Sequence, residues 1–240
     1  MTSVPLQLPA PRGLLRTRHE DGHRLSHLVW RLAPGSRVCS SAVLGGGIGS
    51  RAWILNAQVP GGYPRLDPDL HLAQIAAAEG LEGPGAGLMT AADVSAYTEA
   101  HDEGVTATVT SGLGVRGWAA APAPGAVGPL PAGTVNIVVT LPVALSDAAL
   151  VNAVATATEA KVQALLDAGL DCSGTPTDAV CVAVPAPGPE GAQPFAGPRS
   201  LWGARLARAV HAAVLEGAPA HPREGRERSR PAGGPGAARG

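Results

Sequence analysis

Two periods alternate along this chain. Residues 24 to 33 (RLSHLVWRLA) and 36 to 44 (SRVCSSAVL) alternate apolar and polar side chains as half-buried strands do, with Pro34-Gly35 as the turn between them. A glycine cluster, Gly45-Gly46-Gly47 and Gly49, leads into a third strand-like run at 51 to 59, rich in aromatic and branched residues. The period then changes. Asp67 followed by Pro68 marks a helix start, and the spacing predicts a helix over 68 to 79. Further strands are predicted at 85 to 93, 94 to 101 and 105 to 111, and the Ala/Pro/Gly stretch 119 to 132 reads as a loop.

The second half carries the clearest unit. GTVNIVVTLP, 133 to 142, reads as a buried strand, and Ser146 then caps a helix over 147 to 168 that stops at Gly169. Val151, Val154, Ala155, Thr158, Val162, Leu165 and Leu166 recur at helical spacing and form its predicted buried face. A strand at 177 to 185 and a helix at 199 to 216 follow. Strands come in runs and also alternate with helices. The expected fold is therefore a single α+β domain, with mixed or antiparallel sheet layers packed with a few helices. Residues 1 to 20 read as an N-terminal extension, 21 to 216 as the domain, and 217 to 240 as a disordered tail of Arg, Gly, Pro and Ala.

Composition narrows the partners. A chain of 240 residues that is 45% hydrophobic supports a real core, and a net charge of -1 argues against nucleic acid as the main partner. Uninterrupted apolar runs are too short for a membrane span. The N-terminal segment lacks a positive region followed by an apolar one, which predicts no secretory leader and a cytoplasmic protein. Cys39, Cys172 and Cys181 are odd in number and show no C-x-x-C spacing, so reduced thiols are expected instead of a disulfide frame or zinc site. Ala, Gly, Pro and Arg abound, as GC-rich codons would produce. Against that bias stand a single lysine, Lys161, and three asparagines, Asn56, Asn136 and Asn152, all within the structured segments. Nothing in the pattern specifies an oligomeric state.

Several standard chemistries drop out. The glycine cluster is not a phosphate loop: Ser50-Arg51 replaces the Lys-Ser/Thr of a Walker motif, and Ser50 stands where G-x-G-x-x-G needs its third glycine. No G-x-S-x-G elbow and no H-E-x-x-H occurs. His19, His23 and His27 are spaced by four but straddle a strand start, so no metal is assigned to them. Asp21-Gly22-His23 begins a D-x-H-x-x-G corrinoid signature that Ser26 breaks. What remains is GLMTAADV and GTPTDAV, each with a hydroxyl and a carboxylate at the end of an apolar strand. Asn152, Thr156 and Glu159 share one helix face, whereas Lys161 points elsewhere.

The ordered set SSAVLGGGIG, WILNAQV, GLMTAADV, TVTSGL, GTVNIVV, ALVNAVATATEAKVQAL, GTPTDAVCVAVP and FAGPRSLWG resembles the adenosylcobinamide amidohydrolase family over about residues 36 to 216. VNAVATATEAKVQAL and GTPTDAV are its most specific parts. Departures are Pro176, where alanine is more usual, and Cys39 before the serines. The resemblance implies cleavage of the amide that joins aminopropanol to the corrin side chain of adenosylcobinamide. The products would be adenosylcobyric acid and 1-aminopropan-2-ol, with no cofactor of the enzyme's own because cobalt arrives in the corrinoid substrate.

Amide hydrolysis needs an activated nucleophile, a proton for the departing amine and donors for the oxyanion. Candidate acid–base groups are Asp93, Glu159 and Asp178, with Lys161 as an alternative activator and Thr90 or Thr177 as nucleophile. Gly45, Gly46 and Gly47 are expected to let the main chain approach the substrate, with Ser41 beside them. Asn56, Asn136 and Asn152 are expected to bond its amides. Trp30, Trp53, Trp118 and Trp202 are the candidates to stack on the ring. Two rival readings are a corrinoid-binding module without catalysis and another amide-hydrolysing or acyl-transfer enzyme.

Overall fold

The computed structural model describes residues 11–122 and 133–219. Its elements are, in chain order, β1 (Leu14–Glu20), β2 (His23–Arg31), β3 (Arg37–Ser40), β4 (Gly47–Ser50), β5 (Trp53–Gln58), α1 (Pro68–Ala78), β6 (Gly85–Thr90), β7 (Thr98–Asp102), β8 (Val105–Gly112), β9 (Thr134–Thr140), α2 (Asp147–Asp167), β10 (Ala179–Val184) and α3 (Leu201–Gly217). They form two mixed sheets in an α+β domain, of order β1-β2-β5-β6 and β4-β3-β10-β9-β8-β7. Most neighbours are antiparallel, but β5 runs parallel to β6 and β9 parallel to β10.

Alternation along the strands stacks these sheets into four layers. On β2, Leu28 and Trp30 face the other sheet while Val29 packs with Leu55, Ala57, Leu72 and Ile75 under α1. On β9, Val135, Ile137 and Val139 join the core beneath α2 and α3, whereas Val138 turns inward to meet Ile54, Leu88 and Cys181 between the sheets. The order is thus α1, four-stranded sheet, six-stranded sheet, then α2 with α3. The helix starts follow the chain chemistry. The Ser146 hydroxyl accepts from Ala149 N and the Ser200 hydroxyl from Gly203 N, and Pro68 opens α1.

Several expectations change. Leu14–Glu20, placed in the extension, is a full edge strand paired in register with β2 from Leu14↔Val29 to Glu20↔His23. The run at 36 to 44 is strand only to Ser40, and the glycines that follow hold an edge strand of their own, β4. The stretch 94 to 101 opens as a 3-10 turn, Val94–Ala96, because Asp93 accepts from Ser95 N and stops the ladder. The buried face of α2 consists of Ala149, Leu150, Ala153, Thr156, Ala157, Ala160, Lys161, Ala164 and Leu165. Val151 and Leu166, assigned to that face, are 57% and 47% exposed. Part of the loop expected at 119 to 132 and nearly all of the expected tail lie outside the described residues.

Candidate active site

Where β5 and β6 end and β9 and β10 begin, the two sheets part around a cavity of about 490 Å³. Ser41, Thr90, Thr134, Asn136, Thr177 and Asp178 give its wall polar atoms, and Ala42, Val43, Leu88, Met89, Pro60 and Pro68 give it apolar area. A short polar seam ties the sheets together behind it. Asn136 Nδ2 donates to Asn56 Oδ1 at 2.8 Å and to Met89 O at 3.1 Å, and Asn56 Nδ2 donates to Thr110 Oγ1 at 3.1 Å. Both asparagines are buried, so Asn56 serves this seam and only Asn136 borders the cavity.

Asp178 organises the loop before β10. Its Oδ1 accepts from Val135 N at 2.8 Å and lies 2.5 Å from Thr175 Oγ1. Its Oδ2 accepts from Thr175 N at 3.1 Å and from Lys161 Nζ at 2.5 Å. Lys161 therefore turns inward from α2, away from the exposed Asn152 and Glu159 as its spacing predicts, and its charge is matched by a carboxylate that is itself largely buried. Gly174 covers this pair at φ +150, and a Cβ there would stand 2.1 Å from Asp178 Oδ2 and 2.6 Å from Lys161 Nζ. Thr177 Oγ1 donates to Gly133 O at 2.9 Å and, its single proton so used, accepts from Thr134 Oγ1 at 2.6 Å. Two hydroxyls that border the cavity find no acceptor for their protons among the described residues. Ser41 Oγ accepts from Val180 N, and Thr90 Oγ1 accepts from Ala92 N.

The remaining expected site residues lie elsewhere. Asp93 is exposed and caps the 3-10 turn through Ser95. Glu159 and Asn152 are exposed on α2, and Asn152 borders a shallow groove with Phe195 and Arg199. Gly45 sits at φ +63 with room for no Cβ, since one would lie 1.9 Å from Gly85 O. Arg51 donates to the carbonyls of Gly45 and Gly46, and Leu44 pairs with Gly87. These glycines join the sheets, and the serine-side residues Ser41, Ala42 and Val43 reach the cavity instead. Trp30, Trp53 and Trp202 are core residues, whereas Trp118 is 44% exposed on a loop whose Gly117 pairs with Gly174. The three thiols are free and buried, and desolvation pushes the Cys181 thiol up to about 12, so it stays protonated.

One wall of the cavity was not anticipated. Tyr63, in the loop after β5, borders it between Pro60 and Pro68. Its Oη lies 2.8 Å from His71 Nδ1, with the two rings stacked at 5.6 Å, and His71 Nε2 lies 2.6 Å from Glu20 Oε1. The D-P-D-L-H start of the helix shows only that His71 lies on its first turns. It does not show which way the ring turns or that β1 would meet it.

A family model for adenosylcobinamide amidohydrolases matches residues 13–225. A protein of Methanosarcina mazei named adenosylcobinamide amidohydrolase is 32% identical over 184 residues, which is 74% of this chain and 88% of that protein. The match begins at β1, in keeping with the place of that strand in the sheet, and spans both sheets and all three helices. The chain belongs to the adenosylcobinamide amidohydrolase family.

Proposed function

We propose that this chain hydrolyses the aminopropanol amide of adenosylcobinamide, releasing adenosylcobyric acid and 1-aminopropan-2-ol, so that scavenged cobinamide re-enters coenzyme B12 synthesis. Membership of the family supports the reaction class. The observation that carries the reading to this site is the inter-sheet cavity, which combines hydroxyl donors with an apolar lining. At about 490 Å³ it falls within the size range of a small-ligand pocket. It suits one amide arm of the corrinoid, with the macrocycle held at the mouth, where Val43 is 52% exposed.

Within that reading water is the second substrate, and cobalt enters as part of the corrinoid. Ser41 and Thr90, whose protons are not taken by any described residue, are the donors for the oxyanion that forms as water attacks. Thr177 and Thr134 border the arm, and Asn136 bonds its amide. Asp178 accepts from Lys161 and two backbone amides, so it and Lys161 position the Thr175–Asp178 loop. Incubation with adenosylcobinamide, followed by mass spectrometry, is expected to show both products, absent from a boiled control. Cobinamide that stays bound through gel filtration but intact would replace this reading with that of a corrinoid-binding module.

A further inference from the structure

With Asp178 engaged by Lys161 and two backbone amides, the hydrolysis proposed above needs another group to carry a proton from water to the leaving amine. Among the described residues that border the cavity, Asp178 is the one carboxylate and no histidine is present. Tyr63 is the one bordering side chain backed by a base. We propose that Tyr63 is the proton-transferring residue of this site, and that His71 and Glu20 position it and hold the proton between steps. This rests on the reading of the cavity as the hydrolytic site.

The geometry sets the direction of each bond. On a neutral imidazole, the carboxylate oxygen 2.6 Å from His71 Nε2 holds the ring proton on that nitrogen, which leaves Nδ1 as the acceptor of the Tyr63 hydroxyl at 2.8 Å. His71 is only 3% exposed, and the half-buried Tyr63 ring stacks on it. Glu20 is held in turn by Arg18, whose Nε donates to Glu20 Oε2 at 2.8 Å and whose Nη2 donates to Gln58 O at 2.7 Å. Hydroxyl, imidazole and carboxylate thus run from the cavity wall through α1 to edge strand β1. This is the order in which a hydroxyl is activated by a base that a third group orients. Burial raises the Tyr63 phenol above its ordinary value, so the resting hydroxyl is neutral and able to donate.

The proton balance closes without any further reactant. As the oxygen of water bonds to the amide carbon, its proton passes to Tyr63 Oη while the phenol proton passes to His71 Nδ1. The imidazolium so formed faces the Glu20 carboxylate. On collapse of the adduct the C–N bond breaks and its electron pair stays on nitrogen. That nitrogen takes the Tyr63 proton as His71 returns its own. The result is a carboxylic acid, a free amine and the starting relay.

Tyr63→Phe keeps the ring and the stack and removes only the hydroxyl. It is expected to lower kcat on adenosylcobinamide by about 10²- to 10⁴-fold. Its Kd for the corrinoid, measured by equilibrium binding, is expected to stay within about twofold of the parent, and its Tm to fall by no more than the few degrees that one lost hydrogen bond costs. His71→Asn and Glu20→Gln are expected to lower kcat less, and Tyr63→Phe combined with His71→Asn to be no slower than Tyr63→Phe alone. A merely structural role would instead lower Tm by more than that and weaken corrinoid binding in each variant and leave the effects on kcat additive. An active parent whose Tyr63→Phe variant turns over at the same rate, or a double variant showing the product of the single losses, overturns the relay and leaves the amidohydrolase reading standing. A parent that releases no product overturns the reading and the relay with it.

Discussion

Asp178 receives donors on both oxygens from an amide of β9, an amide of its own loop and Lys161 of α2. The side chains of Lys161 and Asp178 are 8% and 12% exposed, so neither charge can turn to water if the other is removed. Removing one partner of such a pair leaves an uncompensated buried charge and costs about 3–5 kcal/mol, although the intact pair need not be strongly stabilising. Asp178→Asn is therefore expected to lose about 3–5 kcal/mol in a urea titration. Lys161→Met combined with Asp178→Asn is expected to cost less than the sum of the two single changes. Additive losses would mean that the pair is not coupled and that Asp178 is held by its backbone donors alone. Residue types at this site were legible where a strand end exposed them. Thr90 and Asn136 on strands β6 and β9, and Thr177 and Asp178 in the loop that leads into β10, all border the cavity. Asp93 was not separable from them by spacing, since a carboxylate three residues past a threonine looks the same whether it meets a substrate or caps a turn.

At the scale of one element, α2 shows how a helix can be recognised and its orientation misread. Its cap, length and stop were legible, because Ser146 and Gly169 are local signals. Its face was not. Apolar residues surround the helix, and the larger ones, Val151 and Leu166, drew the assignment toward solvent, while alanines at 149, 153, 157, 160 and 164 lie against the sheet and α3. Small residues are chosen there because they let the helices and sheet approach closely, and a hydrophobicity pattern weights them least. Fully buried Ala157 has no room for three more carbons, so Ala157→Leu is expected to destabilise by about 1–3 kcal/mol. Val151→Ser, on the face that the periodicity favoured, is expected to stay within about 0.5 kcal/mol, both read by chemical denaturation. The reverse ranking would refute the orientation of α2. Edge strand β1 was missed for a related reason. Its residues LLRTRHE alternate poorly and are mostly exposed, and only pairing with β2 makes them a strand.

At the scale of the whole molecule, the stacking of two sheets could not be read from neighbouring segments. Strands β4 and β5 are separated by only Arg51 and Ala52, as hairpin partners are, but they belong to different sheets. The glycine turn between β3 and β4 reaches across to β6 of the other sheet, where Leu44 pairs with Gly87 and Gly45 fits against Gly85 where no side chain would. The same layering buries His27 of β2 at 0% exposure, with Nε2 2.8 Å from Glu79 Oε1 at the end of α1. Burial is the largest influence on this imidazole and depresses its pKa below the ordinary 6.5, and the Glu79 contact offsets that only in part. The unfolded chain then binds a proton at His27 near pH 6.5 that the folded chain refuses. Stability from this group is accordingly complete above 6.5 and falls as the pH drops through 6.5 toward the depressed value. The slope approaches about 1.4 kcal/mol per pH unit for one proton. Asp67 and Asp102, held below 3.8 chiefly by hydrogen bonds from Arg65 and Arg208, lose their contributions only in stronger acid and do not enter this window. Unfolding free energies measured from pH 7 to pH 5 are therefore expected to fall more steeply for the parent chain than for His27→Gln, which cannot titrate. Parallel curves would show that His27 binds its proton equally in both states, and that the junction of β2 with α1 admits a charge the structure marks as excluded.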